Sequence, residues 1–240
     1  MGSAPGFTSS SKRPSSEVLR TIPDDIFRLY RPVSRWESFY LRTRWRLCPF
    51  ELIESCIPSK GRVLDFGCGY GMLGNLLAER GPERTVVGID MNPKRMSVAR
   101  RSASGRRNIL FQLGDVGSLA VSSFQAAVMT DVLHHIRDEH VDILLGKVCR
   151  CLGPDGLLAI LDVDRKPFWK FCITYGIDSL LNPSDRLWYR PLGRLEKMVK
   201  KAGLEVERVI RADQGLPLAD VLLLCRKGSQ HPVQGVSKVE

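Results

Sequence analysis

Short, continuous apolar runs at residues 62–66, 85–90, 109–113, 126–130 and 157–163 alternate with longer segments of helical spacing at 72–80, 93–102 and 141–151. A strand with one wet face alternates apolar and polar side chains, so an unbroken apolar run marks a strand covered on both faces. The alternation therefore predicts an α/β fold, a doubly wound parallel sheet with helices on both faces and right-handed crossovers. After residue 163 the rhythm breaks. An aromatic-rich stretch over 167–189 precedes a helix at 192–202 and two last apolar runs at 206–211 and 220–225. Gly203 stands where a helix is expected to end in a left-handed residue. Upstream, 36–57 reads as one helix, closed by Pro58 and Gly61.

With 240 residues, 43% of them hydrophobic, the chain can bury one sizeable core. No apolar stretch approaches the ~18–20 residues of a membrane span, and the first residues carry no apolar signal core. Residues 1–20 and 228–240 are polar and read as disordered ends around a single domain, 21–227. The seven cysteines are odd in number and form no CxxC pair. They build no disulfide framework, and a reducing cytoplasm suits them. The formal charge of +10 comes from scattered Lys and Arg. Such residues on helix faces read first as solvated surface, with nucleic acid, an anionic membrane surface or an acidic partner as the alternatives. Without basic stretches interleaved with aromatics, nucleic acid is disfavoured.

GCGYGMLG, residues 67–74, joins the first strand to its helix. A chain gives up side chains where a ligand lies against its backbone, and ligands of doubly wound sheets collect at the carboxyl ends of the strands. Residues 69–74 satisfy GxGxxG, so a dinucleotide is one candidate. Asp65, just ahead of the turn, argues against it. A pyrophosphate here would face that carboxylate, and at ~6 Å with an effective dielectric of ~20 each like-charge pair costs roughly 2–3 kcal/mol. S-adenosylmethionine, a nucleoside with an ammonium and a sulfonium and no phosphate, would be attracted instead. Asp90 ends the second strand, where an acid can accept both ribose hydroxyls. Asp115, just past the third, can accept from an adenine amino group. The fourth strand runs into Thr130-Asp131-Val132-Leu133-His134-His135, polar groups where a methyl acceptor would wait.

In this order the stretches resemble the class I S-adenosylmethionine-dependent methyltransferases. VLDFGCGYG is similar to their first motif, VVGIDMNP to the second, LGDV to the third and the run into TDVLHHI to the fourth; LGPDGLLAILDVD is similar to the turn and fifth strand that follow. The resemblance covers about 60–163. It implies a mostly parallel, seven-stranded, Rossmann-like sheet whose last two runs form an antiparallel hairpin. It divides the domain into an N-terminal helical cap (21–59), a donor-binding core (60–163), an acceptor-side insertion (164–190) and a C-terminal helix with hairpin (191–227). It also implies that Asp65 and Gly67 hold the methionine end of S-adenosylmethionine, with Cys68, Gly69 and Gly71 in the same turn. Asp90 then takes the ribose, and Asp115, between Gly114 and Val116, the adenine. Met91 packs on the adenine face, with a place in the core as its plain alternative. Asp131 and Arg44 complete the donor set, and Arg44, or Arg42 near it, is placed to pair with the donor's carboxylate. The product is S-adenosylhomocysteine, and no metal enters.

Methyl transfer from a sulfonium needs alignment first, and a hydroxyl acceptor gains a further ~10²–10⁴-fold from a base. His134 and His135 are the candidates, since imidazole titrates near neutrality. Their plain alternative is to begin a loop and cap the helix at Asp138. Acceptor walls come from Phe168, Trp169, Phe171 and Tyr175, then Leu180, Leu181, Trp188 and Tyr189, with Phe39, Tyr40 and Trp45 opposite. Such walls suit a small apolar or aromatic molecule, or else ordinary packing. Arg165, Lys166, Lys170, Arg186 and Arg190 beside them suit a long-chain acceptor on an acidic carrier protein or at an anionic membrane surface. The expected activity is methylation, at oxygen, of a small, largely apolar acceptor such as a lipid-like biosynthetic intermediate. TDVLHH lacks the [DNS]PP[YFW] pattern of base-amino methyltransferases, and Cys48-Pro49 reverses the Pro-Cys pair of cytosine-C5 enzymes. An RNA methyltransferase with the same donor site, and a non-catalytic donor-binding module, are the alternatives.

Overall fold

The computed structural model describes residues 22–181, 186–213 and 215–228; the expected disordered ends lie, but for Gly228, outside the described residues. Seven strands, β1 (Lys60–Phe66), β2 (Glu83–Asp90), β3 (Ile109–Leu113), β4 (Phe124–Thr130), β5 (Leu152–Val163), β6 (Leu204–Arg211) and β7 (Asp220–Lys227), form one sheet in the order β3-β2-β1-β4-β5-β7-β6. Strand order reverses between β1 and β4, which pair in parallel from Val63 opposite Ala126 to Phe66 opposite Met129. A crevice opens at the carboxyl ends of the two strands flanking such a reversal. The last strand pairs antiparallel with both neighbours, which gives the hairpin that the family resemblance implies. Its direction has a consequence for the site: the first residue of β7, Asp220, lies opposite Val163 and so arrives at the same end of the sheet.

Three short helices precede the sheet: α1 (Asp24–Arg28), α2 (Arg35–Leu47) and α3 (Phe50–Cys56). The crossovers are α4 (Met72–Arg80), α5 (Pro93–Ser102) and α6 (Asp138–Cys151), and α7 (Phe168–Leu181) and α8 (Leu192–Lys201) follow β5. Alternate strand residues enter opposite layers. Val63, Val86, Val128 and Ala159 pack with α1–α5, while Leu64, Val87, Ala127 and Leu158 pack with α6 and α8. That double burial explains the unbroken apolar runs. Gly203 has φ +85° after α8, as its position predicted.

The single helix expected over 36–57 is two. Pro49 has no N–H to donate and holds Cys48 extended at φ −91°, ψ 133°, so α2 stops at Leu47. Ser34 starts α2 with a capping box, accepting from the Glu37 N–H (3.1 Å) while the Glu37 carboxylate accepts from the Ser34 N–H (2.8 Å). The aromatic stretch folds as α7, which faces α2 across the carboxyl ends of the strands.

Candidate active site

The glycine turn is pinned onto the end of β2. Gly67 and Cys68 donate their N–H groups to the Ile89 carbonyl (2.8 and 3.1 Å), and Gly69 donates to Asp90 Oδ2 (2.8 Å). Two glycines serve different ends. Gly67 has φ +70°, and a Cβ there would sit 2.4 Å from Val132 Cγ2, so packing requires it. Gly69 has φ +54° with nothing within 4 Å of its Cβ position, so its bareness leaves room for a ligand. Asp65, 2% exposed, lines the cavity beneath this turn with Gly67, Cys68, Gly69 and Leu73. Its Oδ2 is buried without a hydrogen-bond partner among the described residues. Burial pushes the Asp65 carboxyl up to about 7, opposed by the Gly74 N–H and reinforced by Asp90. An orphaned buried carboxylate oxygen fits the ammonium of S-adenosylmethionine and repels a phosphate.

The remaining expected donor residues divide. Asp90 stands behind the turn, its Oδ1 accepting from the Asn92 N–H (2.7 Å). Asp115 is exposed: it accepts from the Val116 N–H (2.7 Å) to cap a short 3₁₀ turn and takes Lys147 Nζ at 3.0 Å, which holds its carboxyl low. Gly114, beside it, is half-buried. Val116 is a correction, because its side chain lies in the core layer shared with α6 rather than in the cavity. Met91 is 79% exposed, which excludes a place in the core. Gly71 has φ +77°, and a Cβ there would lie 2.4 Å from the Phe111 ring, so it too is a packing glycine.

Asp131, at φ +53° just past β4, forms an ion pair with Arg44 of α2. The guanidinium expected to meet the donor's carboxylate is thus engaged by Asp131. A second cavity lies beyond this pair, lined by Trp36, Phe39, Thr174, Ile177, Leu218 and Asp220. It shares Tyr40, Arg44, Asp131 and Asp178 with the donor cavity, so one wall separates two chambers. Both His134 and His135 line the donor cavity. His134 is backed by a carboxylate: it is buried, its Nδ1 lies 2.7 Å from Asp162 Oδ1, and it stacks on Tyr189 at 5.1 Å. Burial pulls its imidazole down, but Asp162 outweighs that and holds it up at about 9. Neither histidine caps α6, whose N-cap is Arg137 without a side-chain hydrogen bond.

Several expected walls move. Phe39 and Tyr40 line the second cavity, whereas Trp45 is buried against Phe50 (5.3 Å). Phe168, Trp169 and Leu180 face outward, and the Leu181 side chain lies outside those described. Arg190 is buried and structural, donating to the Leu133 carbonyl (2.7 Å) and to Asp138 Oδ1 (2.5 Å). Sequence reasoning missed Asp162, Asp178 and Asp220. Asp178 accepts from the Tyr189 hydroxyl, and burial raises its carboxyl. Asp220 is buried, and desolvation together with Asp131 raises it well above the usual carboxylate range. A lone acid inside an apolar strand, as in ILDV and ADVLLLC, was the available signal for two of the three.

A family model described as a methyltransferase domain matches residues 63–156. The demethylmenaquinone methyltransferase of Thermus thermophilus is 30% identical over 151 residues, 62% of this chain and 67% of that one. A ubiquinone biosynthesis O-methyltransferase of Sinorhizobium fredii is 28% identical over 158 residues, 62% of each chain. The chain spans 46% to 67% of the length of the first curated relatives it matches. Its fold is similar to that of an S-adenosylmethionine-dependent methyltransferase of Methanosarcina mazei, with a TM-score of 0.60, 18% identity, and coverage of 75% of this chain and 98% of that one. The seven-stranded sheet, the turn with its orphaned acid and these likenesses agree: the chain belongs to the class I S-adenosylmethionine-dependent methyltransferases.

Proposed function

We propose that this chain transfers the methyl group of S-adenosylmethionine to a hydroxyl of a small, largely apolar or aromatic acceptor, in the cytoplasm. The observation that carries this is the shared wall. Tyr40, Arg44, Asp131 and Asp178 border both cavities, so a group leaving the donor side emerges beside an aromatic-lined chamber. When bound, S-adenosylmethionine supplies an electrophilic methyl on a sulfonium, which departs as a neutral thioether. Asp65 holds the donor's ammonium, and Gly69 clears space for it. His134, held by Asp162, takes the acceptor's hydroxyl proton at Nε2, and Asp162 stabilises the imidazolium that results. Positive charge bound in the same cavity pulls His134 down from about 9 and enlarges its neutral, basic fraction near neutrality. The name of one relative, a ubiquinone biosynthesis O-methyltransferase, favours a hydroxylated ring as the acceptor.

Labelled-methyl transfer to a panel of quinols, catechols and bulk RNA tests the reading. Transfer to the hydroxylated rings is expected, with His134→Gln keeping donor affinity while turnover falls ~10²-fold or more. Transfer to RNA instead, or to none of the panel, overturns it.

A further inference from the structure

α2 and α7 flank the acceptor chamber, and both turn large apolar side chains to solvent. Trp36, 66% exposed, and Phe39 line the chamber and meet solvent at once. On α7 the exposed residues Phe168, Trp169, Cys172, Ile173, Gly176 and Leu180 recur at helical spacing. They lie opposite the inward face that carries Phe171, Thr174 and Asp178. Phe168 is 70% exposed. Soluble proteins rarely leave a contiguous apolar face of this kind uncovered unless something docks on it. Exposed cations stand at its edge: Arg165 and Lys166 lead into α7, and Arg35 begins α2.

We propose that this face docks on an anionic lipid bilayer, with α7 lying in the plane of the headgroups. Aromatic side chains flanked by Lys and Arg match the layer where apolar and charged groups meet. At 14 residues α7 is about 21 Å long, too short to cross a ~30 Å hydrocarbon core, so it can only lie along the surface. Charge chooses among occupants. A two-fold contact with a second copy brings two sets of Arg35, Arg165 and Lys166 to one interface, cation beside cation, whereas anionic headgroups pair with all three. Resting on the methyltransferase reading, docking here holds the enzyme at the layer in which an apolar acceptor dissolves.

Co-sedimentation of the purified chain with vesicles tests this. Vesicles of phosphatidylcholine and phosphatidylglycerol at 7:3 are expected to pellet the protein at 0.1 M salt, those of phosphatidylcholine alone far less, and added salt should weaken the binding. At ~1 kcal/mol for each cation near an anionic surface, Arg165→Ala with Lys166→Ala weakens binding about thirtyfold. Phe168→Ser with Trp169→Ser releases the protein into the supernatant while its melting temperature and its affinity for S-adenosylhomocysteine stay as in the native chain. A native chain that stays in the supernatant at 7:3 refutes the proposal, as does a serine variant that pellets like it. A native dimer that this variant converts to monomer in light scattering gives the face to a second copy and also refutes it. Loss of S-adenosylhomocysteine binding with pelleting intact is the separate failure, of the donor site alone.

Discussion

Asp65→Asn should make the folded chain more stable and, in the same stroke, unable to hold its donor. In the folded chain Asp65 titrates near about 7 against an ordinary 3.8, chiefly because it is buried. Between those pH values the folded state keeps a proton that the unfolded chain has lost, so stability falls as pH rises from about 4 to about 7. A shift of about 3 units at 1.36 kcal/mol each is a penalty of about 4 kcal/mol above pH 7. Asn removes the charge but not the orphaned position at Oδ2, and an unsatisfied buried amide atom costs ~1–3 kcal/mol. The net gain at pH 8 is therefore ~1–3 kcal/mol, or roughly 2–12 °C in Tm at 2–4 °C per kcal/mol for a domain of this size. Donor binding moves the other way. Only the ionised carboxylate pairs with an ammonium, so affinity of the native chain should weaken tenfold for each unit that pH drops below about 7. Calorimetric titration with S-adenosylhomocysteine at pH 5.5, 6.5 and 7.5 stays below the ~7.7–8.0 of an α-amino group, so the ligand remains charged throughout. An affinity that is flat across that range, or an Asn variant that binds within twofold of the native chain, refutes the assignment of Asp65 as the cation's partner.

Gly69→Ala and Gly71→Ala should separate ligand clearance from packing. The first leaves unfolding free energy within ~1–2 kcal/mol of native but raises the Kd for S-adenosylhomocysteine at least tenfold, while the second drives a methyl into Phe111 and costs ~2–5 kcal/mol in denaturant melts. Asp162→Asn removes the charge that holds His134 at about 9; the native pH–rate profile should climb toward that value as the imidazolium deprotonates, and the variant's climb should begin at lower pH. For stability, a raised His134 contributes fully below about 6.5 and loses that contribution as pH passes about 9, and the variant lacks this dependence. Arg84→Ala strands the carbonyls of Ile57, Pro58 and Leu77 and the Glu54 carboxylate, each within 3.0 Å of its guanidinium, so urea melts should show a loss of ~3–5 kcal/mol.

What could be read from the sequence was what local periodicity and a contiguous motif encode. The bounds of α4 and α5 follow from helical spacing, and the glycine turn after β1 follows from its own eight residues. The break at Pro49 was legible in principle, yet the apolar spacing of 36–57 runs through it. The deeper losses were of residues far apart in the chain. Asp162, Asp178 and Asp220 come from three different elements, and the direction of β7 decides that Asp220 reaches the site. Nothing local to residue 220 states that direction. Likewise, Lys147 claims Asp115 from the far end of α6, a contact that the third motif cannot reveal. The two histidines were visible, but the carboxylate that holds His134 sits 28 residues on.

The acids of the site also extend the electrostatic argument that began with one of them. Asp131 has Arg44 and Asp162 has the imidazole of His134, so these two acids carry their own partner. Asp65, Asp178 and Asp220 form no ion pair among the described residues, and for all three burial is the largest cause of a raised carboxyl. All three line the cavities: Asp65 the donor's, Asp220 the acceptor's and Asp178 both. An unpaired acid that serves no purpose in folding is a standing cost, and a diphosphate would add roughly 2–3 kcal/mol of repulsion for each such acid at ~6 Å. A cation reverses every one of those signs. On that reading Asp65 would hold the donor's ammonium, and Asp178 and Asp220 would attract a sulfonium near the shared wall. Once the sulfonium had become a neutral thioether, that second attraction would vanish, while a proton taken by His134 would stay beside Asp162. The same charges that would draw the donor in would thus loosen their hold on the product.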